Sequence, residues 1–105
     1  MYKKLHIDIE TYSSINIKTS GMFKYMESPD FEILMVAFAF DDEDIVCIDL
    51  SSGEKLPEKF LKGFKDLRIE KWAHNAAFER NAFNTYGLYT DVREWKCSAI
   101  KSAFC

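Results

Sequence analysis

Three acidic residues carry the chemistry this chain can be read for. Asp8 and Glu10 lie in Leu5-His6-Ile7-Asp8-Ile9-Glu10-Thr11, where apolar and polar residues alternate strictly. Alternation marks a β-strand, so Leu5, Ile7 and Ile9 take one face and His6, Asp8 and Glu10 the other. Side chains two apart on a strand stand side by side, their backbones about 7 Å apart. Carboxylates set against an apolar run must be hydrated, paired or bound to cations, because burying them bare is costly. Neighbouring carboxylates suit hard divalent cations such as Mg2+ or Mn2+. The competing reading is an edge strand with a wet outer face, which would make both ordinary surface acids.

The third acid is Glu79. Asn75 is placed to cap a helix running from Ala76 to about Tyr86 and ended by Gly87. On a helical wheel Glu79 shares a face with Ala82, Phe83 and Tyr86, while Arg80 and Asn84 fall opposite. A glutamate on an apolar stripe needs a partner. A cation shared with Asp8 and Glu10 would supply one. Pairing with Arg93, Lys71 or another buried base would also do so, as would a small rotation of the helix that lets Glu79 reach water.

The other elements must bring these segments together. After the first strand, residues 15–20 read as a polar loop closed by Gly21, and Met22 to Glu27 as one or two helical turns before the turn Ser28-Pro29-Asp30. Glu32 to Phe40 is apolar on both faces, as a central strand is. Asp41-Asp42-Glu43-Asp44 reads as a solvated hairpin connection rather than a metal loop, leading to a strand over Ile45 to Leu50. Pro57 opens a helix to about Lys65 with Phe60, Leu61 and Phe64 in one stripe, which packs on the sheet. Ile69 to Ala73 is a short fourth strand. A last helix is expected from near Arg93, with Trp95, Ala99, Ile100, Ala103 and Phe104 on one face. That pattern is still running at the end of the sequence, so a fragment of a longer protein is expected. Trp95, Ile100 and Phe104 would then favour self-association. Met22, Met26 and Met35 are read as packing.

The 105 residues suit a single domain, and nine phenylalanines, five tyrosines and two tryptophans suffice for its core. No apolar run reaches the roughly 20 residues of a membrane span. Met1-Tyr2-Lys3-Lys4 leads into the strand without a signal-peptide segment, which points to the cytoplasm. The three cysteines form no Cys-x-x-Cys pair and are expected as free, mostly buried thiols. A net charge of −3 argues against a purely electrostatic DNA-binding module. It leaves room for a metal-dependent nuclease, whose cations reverse the local field.

Asp8-Ile9-Glu10-Thr11 resembles the first motif of the DEDD superfamily of 3′–5′ exonucleases, and Ala73-His74-Asn75-Ala76-Ala77-Phe78-Glu79 resembles the second. Segments 8–13, 25–34 and 72–80 also resemble the start of phage- and prophage-type family A DNA polymerases. The resemblance implies a ribonuclease H-like α/β fold: a mixed sheet of three antiparallel strands and then a parallel one, with flanking helices, truncated at its C-terminal side. It implies a two-metal Mg2+ or Mn2+ exonuclease of proofreading type, hydrolysing phosphodiester bonds at single-stranded DNA 3′ ends, in a longer chain with a downstream polymerase region. Asp8, Glu10 and Glu79 would be the catalytic metal ligands, with Asp8 bridging both ions. The backbones of Ile9 and Thr11 would face the terminal 3′ hydroxyl, and Tyr12 and Asn75 the last nucleotide. From the residues alone, however, Tyr12 fits the core better and His74 a capping or core group. Two departures stand out. Glu79 replaces the superfamily's usual aspartate, and the third acidic motif is missing, since Asp91 comes too soon. The alternatives are a non-catalytic nucleic-acid- or protein-binding module of the same fold, or a related oligoribonuclease-type nuclease.

Overall fold

The computed structural model describes residues 2–97. In chain order the strands are β1 (Lys4–Tyr12), β2 (Glu32–Phe40), β3 (Val46–Asp49), β4 (Glu70–Ala73) and β5 (Trp95–Cys97). The helices are α1 (Ile17–Ser20), α2 (Met22–Glu27), α3 (Glu58–Lys65) and α4 (Ala76–Thr85), with short 3-10 turns at Leu50–Ser52 and Val92–Glu94. The strands form one mixed sheet in the order β3-β2-β1-β4-β5. β2 pairs antiparallel with both β1 and β3, and β4 pairs parallel with both β1 and β5. The mixed α/β architecture expected from the sequence is thus present, with three antiparallel strands followed by parallel ones.

The alternation in β1 is realised in its register. Leu5, Ile7 and Ile9 lie opposite Phe40, Phe38 and Val36, whereas His6, Asp8 and Glu10 lie opposite Ala39, Ala37 and Met35. The apolar face joins α3 and α4 in an aromatic core. Phe38 and Phe60 lie 4.9 Å apart between ring centres, Phe64 and Phe83 also 4.9 Å, and Trp95 closes edge-on against Phe64 at 5.8 Å. One helix approaches the sheet especially closely, because Gly63 of α3 lies directly against the ring of Phe40 and a Cβ there would collide with it. A β-bulge falls between Glu10 and Thr11. Bulges bend a strand and re-aim the side chains that follow.

Several expectations are corrected. Residues 15–20 are not all loop, since Asn16 caps the short helix α1 through its side chain. The expected helix from Arg93 is not formed over its first residues: Val92–Glu94 is a 3-10 turn with an Asp91–Glu94 capping box, and Trp95–Cys97 is a strand. The exposed edge of β4 offers unpaired backbone groups, and pairing Lys71 with Trp95 and Ala73 with Cys97 satisfies them. The indole of Trp95 is thereby buried in the core rather than left for self-association. The rest of that helix, Ala99 to Phe104, lies outside the described residues. Cys47 and Cys97 are exposed, not buried, and of the two only Cys97 is a free thiol. The acids after β2 are structural: Asp41 accepts from the backbone N–H groups of Lys3 and Lys4, and Glu43 accepts from Tyr2 and Lys59.

A candidate acidic site where the first strand meets the fourth helix

Parallel pairing between β1 and β4 ends at His6 opposite Trp72. β4 itself stops at Ala73, and after the His74–Asn75 turn the chain enters α4. Beyond His6 the edge of β1 is therefore met by the first turns of α4 instead of by another strand. Asn75 fixes where the helix begins. Its backbone is non-helical and its side-chain oxygen accepts from the N–H of Phe78 at 3.3 Å. This places Glu79 in the first turn, on the face it shares with buried Ala76, Ala82 and Phe83.

Glu79 is only 4% exposed, and its Oε1 has no hydrogen-bond partner. Burial, and then the negative charge of Asp8, push its carboxyl up to about 8. The backbone amides of Glu79 and Ile9 act in the opposite direction. The glutamate thus reaches across to β1 and stands beside Asp8. The two bases that could have neutralised it are engaged elsewhere. Lys71, wholly buried, donates to Glu94 at 2.6 Å and to the carbonyl of Asp66 at 2.9 Å. Arg93 holds Asp91 well below the carboxylate range, at about 2. Neither rotation to water nor pairing with a base accounts for Glu79.

The other sequence-derived positions divide. Asp8 is half-buried and Glu10 is exposed on the same face of β1. Among the described residues, no three His, Cys, Asp or Glu side chains gather closely enough to form a metal cluster; of the two β1 acids it is Asp8 whose charge acts on Glu79. Tyr12 is 49% exposed at the end of β1, against the packing role read from sequence. His74 is also exposed, and it is Asn75 that caps the helix. His6 is half-buried between Ala39 and Trp72 in the sheet register. One neighbour was not read from sequence. Tyr25 of α2 shares a 2.9 Å hydrogen bond with Thr11 Oγ1, just past the bulge, and packs on Phe78 with ring centres 6.3 Å apart. Nothing in its local spacing marks it, because both partners are distant in sequence.

A buried carboxyl with one unpartnered oxygen, raised in pKa by burial and by the charge of a nearby carboxylate, is a group that a cation could stabilise. Binding would deprotonate it, satisfy its lone pairs and cancel the repulsion from Asp8. The donor set of carboxylate oxygens suits Mg2+ or Mn2+. No helix among the described residues is long and apolar enough to cross a membrane. No protein-family model and no solved structure matches the chain. Over 99 residues, 93% of its length, the chain is 41% identical to a DNA polymerase of Bacillus phage SP02, and it spans 15% of the length of that polymerase.

Proposed function

We propose that this chain forms part of a metal-dependent 3′–5′ exonuclease domain of a phage-type DNA polymerase, acting on DNA 3′ ends. The observation that carries the reading is Glu79, buried without a partner at Oε1 and raised in pKa by burial and by Asp8. Similarity to a phage DNA polymerase supports the setting. Asp8 and Glu79 would hold a divalent cation between β1 and α4, and Glu10, on the same strand face as Asp8, would extend the set toward a second ion. Bound ions would supply the charge that activates water and stabilises the leaving 3′ oxygen.

The remaining residues would bind and orient the nucleotide. The half-exposed ring of Tyr12 offers a stacking surface for a base at a single-stranded end. The oxygen of Asn75 is committed to the helix cap, so its NH2 group remains to donate to the substrate. The backbones of Ile9 and Thr11 flank the acids on β1 and would line the place of the terminal 3′ hydroxyl. Further ligands, the downstream polymerase region and the 3′ end itself would come from beyond these residues.

Calorimetric titration of the chain with Mn2+ tests the reading. Saturable binding is expected at up to millimolar metal, abolished by Asp8→Ala and by Glu79→Gln. A folded wild-type chain that takes up no Mn2+ in that range would overturn the metal assignment.

A further inference from the structure

Bringing Asp8 and Glu79 together depends on how the end of β1 is held against the start of α4, and backbone pairing does not hold it. Pairing of β1 with β4 ends at His6, before Asp8. Pairing of β1 with β2 shifts register at the bulge between Glu10 and Thr11 and resumes with Thr11 opposite Ile33, so it holds the end of β1 to β2 and not to α4. Tyr25 of α2 spans from this bulged end of β1 to α4. Its hydroxyl shares the 2.9 Å hydrogen bond with Thr11 Oγ1, and its ring touches Phe78, the residue before Glu79. The ring also meets Phe31, which leads into β2, edge-on at 5.7 Å. A single side chain thus contacts the strand carrying Asp8 and Glu10 and the helix carrying Glu79.

We infer that Tyr25 is a positioning residue, which holds the bulged end of β1 to the first turn of α4 and so keeps Asp8 and Glu79 at a common point. The metal-binding consequence rests on the function proposed above; the holding of the two elements does not. The hydroxyl pair is part-buried, so breaking it frees two polar groups where water enters poorly. Tyr25→Phe removes the bond and keeps the ring contacts with Phe31 and Phe78. Groups that orient metal ligands without touching the metal typically change affinity by about ten- to a hundredfold when lost.

Two readouts on the intact chain test this. The first is amide hydrogen exchange across Ile9–Tyr12 and Ala76–Glu79; the second is Mn2+ affinity by calorimetry. Tyr25→Phe is expected to speed exchange in both stretches while leaving β3 and α3 unchanged, and to weaken Mn2+ binding on the order of tenfold. Thr11→Val should reproduce the exchange effect, and combining the two substitutions should add nothing further, as for partners in one bond. Unchanged exchange in both stretches overturns the inference. Faster exchange with Mn2+ affinity unaltered also overturns it, since the bond would then be structural only. Should the wild-type chain bind no Mn2+, the metal reading fails by itself, and the exchange comparison alone decides whether Tyr25 joins the two elements.

Discussion

In the first turn of α4, Glu79 is held protonated at neutral pH, first by burial and second by Asp8, with its pKa at about 8 against 4.5 for a free glutamate. A carboxyl raised in this way stabilises the fold fully below the unfolded value. That contribution is lost as pH rises from 4.5 through 8, because unfolding then releases a group that would rather be ionised. Glu79→Gln keeps the shape and removes the titration. The variant should match the wild type near pH 4.5 and become the more stable of the two by on the order of a few kcal/mol above pH 8. Denaturant unfolding across this range checks it, and a difference that does not change with pH would sink the assignment of that pKa. The position of Glu79 on an apolar helical face was legible, because 3.6-residue periodicity is a local property. In sequence its proximity to Asp8 is only one of several ways to partner it, apart from what the resemblance implies, since local spacing cannot tell that β4 ends at Ala73 and α4 begins at Ala76. Tyr12 shows the converse. An aromatic at a strand's end looks like core by type, but past the bulge its ring is half exposed.

Among the elements, α3 shows how closely helix and sheet are fitted. Gly63 lies against the ring of Phe40, which is itself only 1% exposed and stacked on Tyr2 at 4.5 Å. Replacing a mid-helix glycine by alanine ordinarily gains about 1 kcal/mol. Here the added methyl would collide with the buried Phe40 ring, and overpacking costs roughly 1–3 kcal/mol. The clash should win, so Gly63→Ala is expected to lower stability by up to about 2 kcal/mol. A shift of the urea midpoint to higher concentration would show that α3 simply slides outward. The periodicity of Phe60, Leu61 and Phe64 was enough to read this helix and the face it buries, though not the close approach at Gly63. β5 was misread for a related reason. Trp95 fits a helical stripe with residues farther on, and nothing local reveals that β4 presents an unpaired edge beside it. Three residues of parallel pairing, a buried indole and the Asp91–Glu94 capping box outweigh the helical pattern there.

Across the whole molecule, two acidic side chains are buried or nearly so, and they are treated in opposite ways. Glu94 has a wholly buried amine, Lys71, at 2.6 Å, which ties the turn before β5 to β4. Glu79 has no base, an unpartnered oxygen and a second acid beside it. The same fold therefore satisfies one buried carboxylate and leaves the other destabilising, and the unsatisfied one lies where β1 and α4 converge. A strained acidic pair of this kind makes the folded state a better cation binder than the unfolded chain, in which Asp8 and Glu79 are far apart. If the pair binds Mn2+ as proposed, linkage makes the metal stabilise the fold: free metal at a hundred times its dissociation constant adds about 2.7 kcal/mol. For a domain of this size that raises the melting temperature by roughly 10 °C or more. The increase should be larger above pH 8, where Glu79 no longer has to lose a proton to bind. Thermal melts of wild type, Asp8→Asn and Glu79→Gln with and without Mn2+ check this. The wild type alone should respond strongly, and an equal response in all three would place the metal elsewhere on the chain.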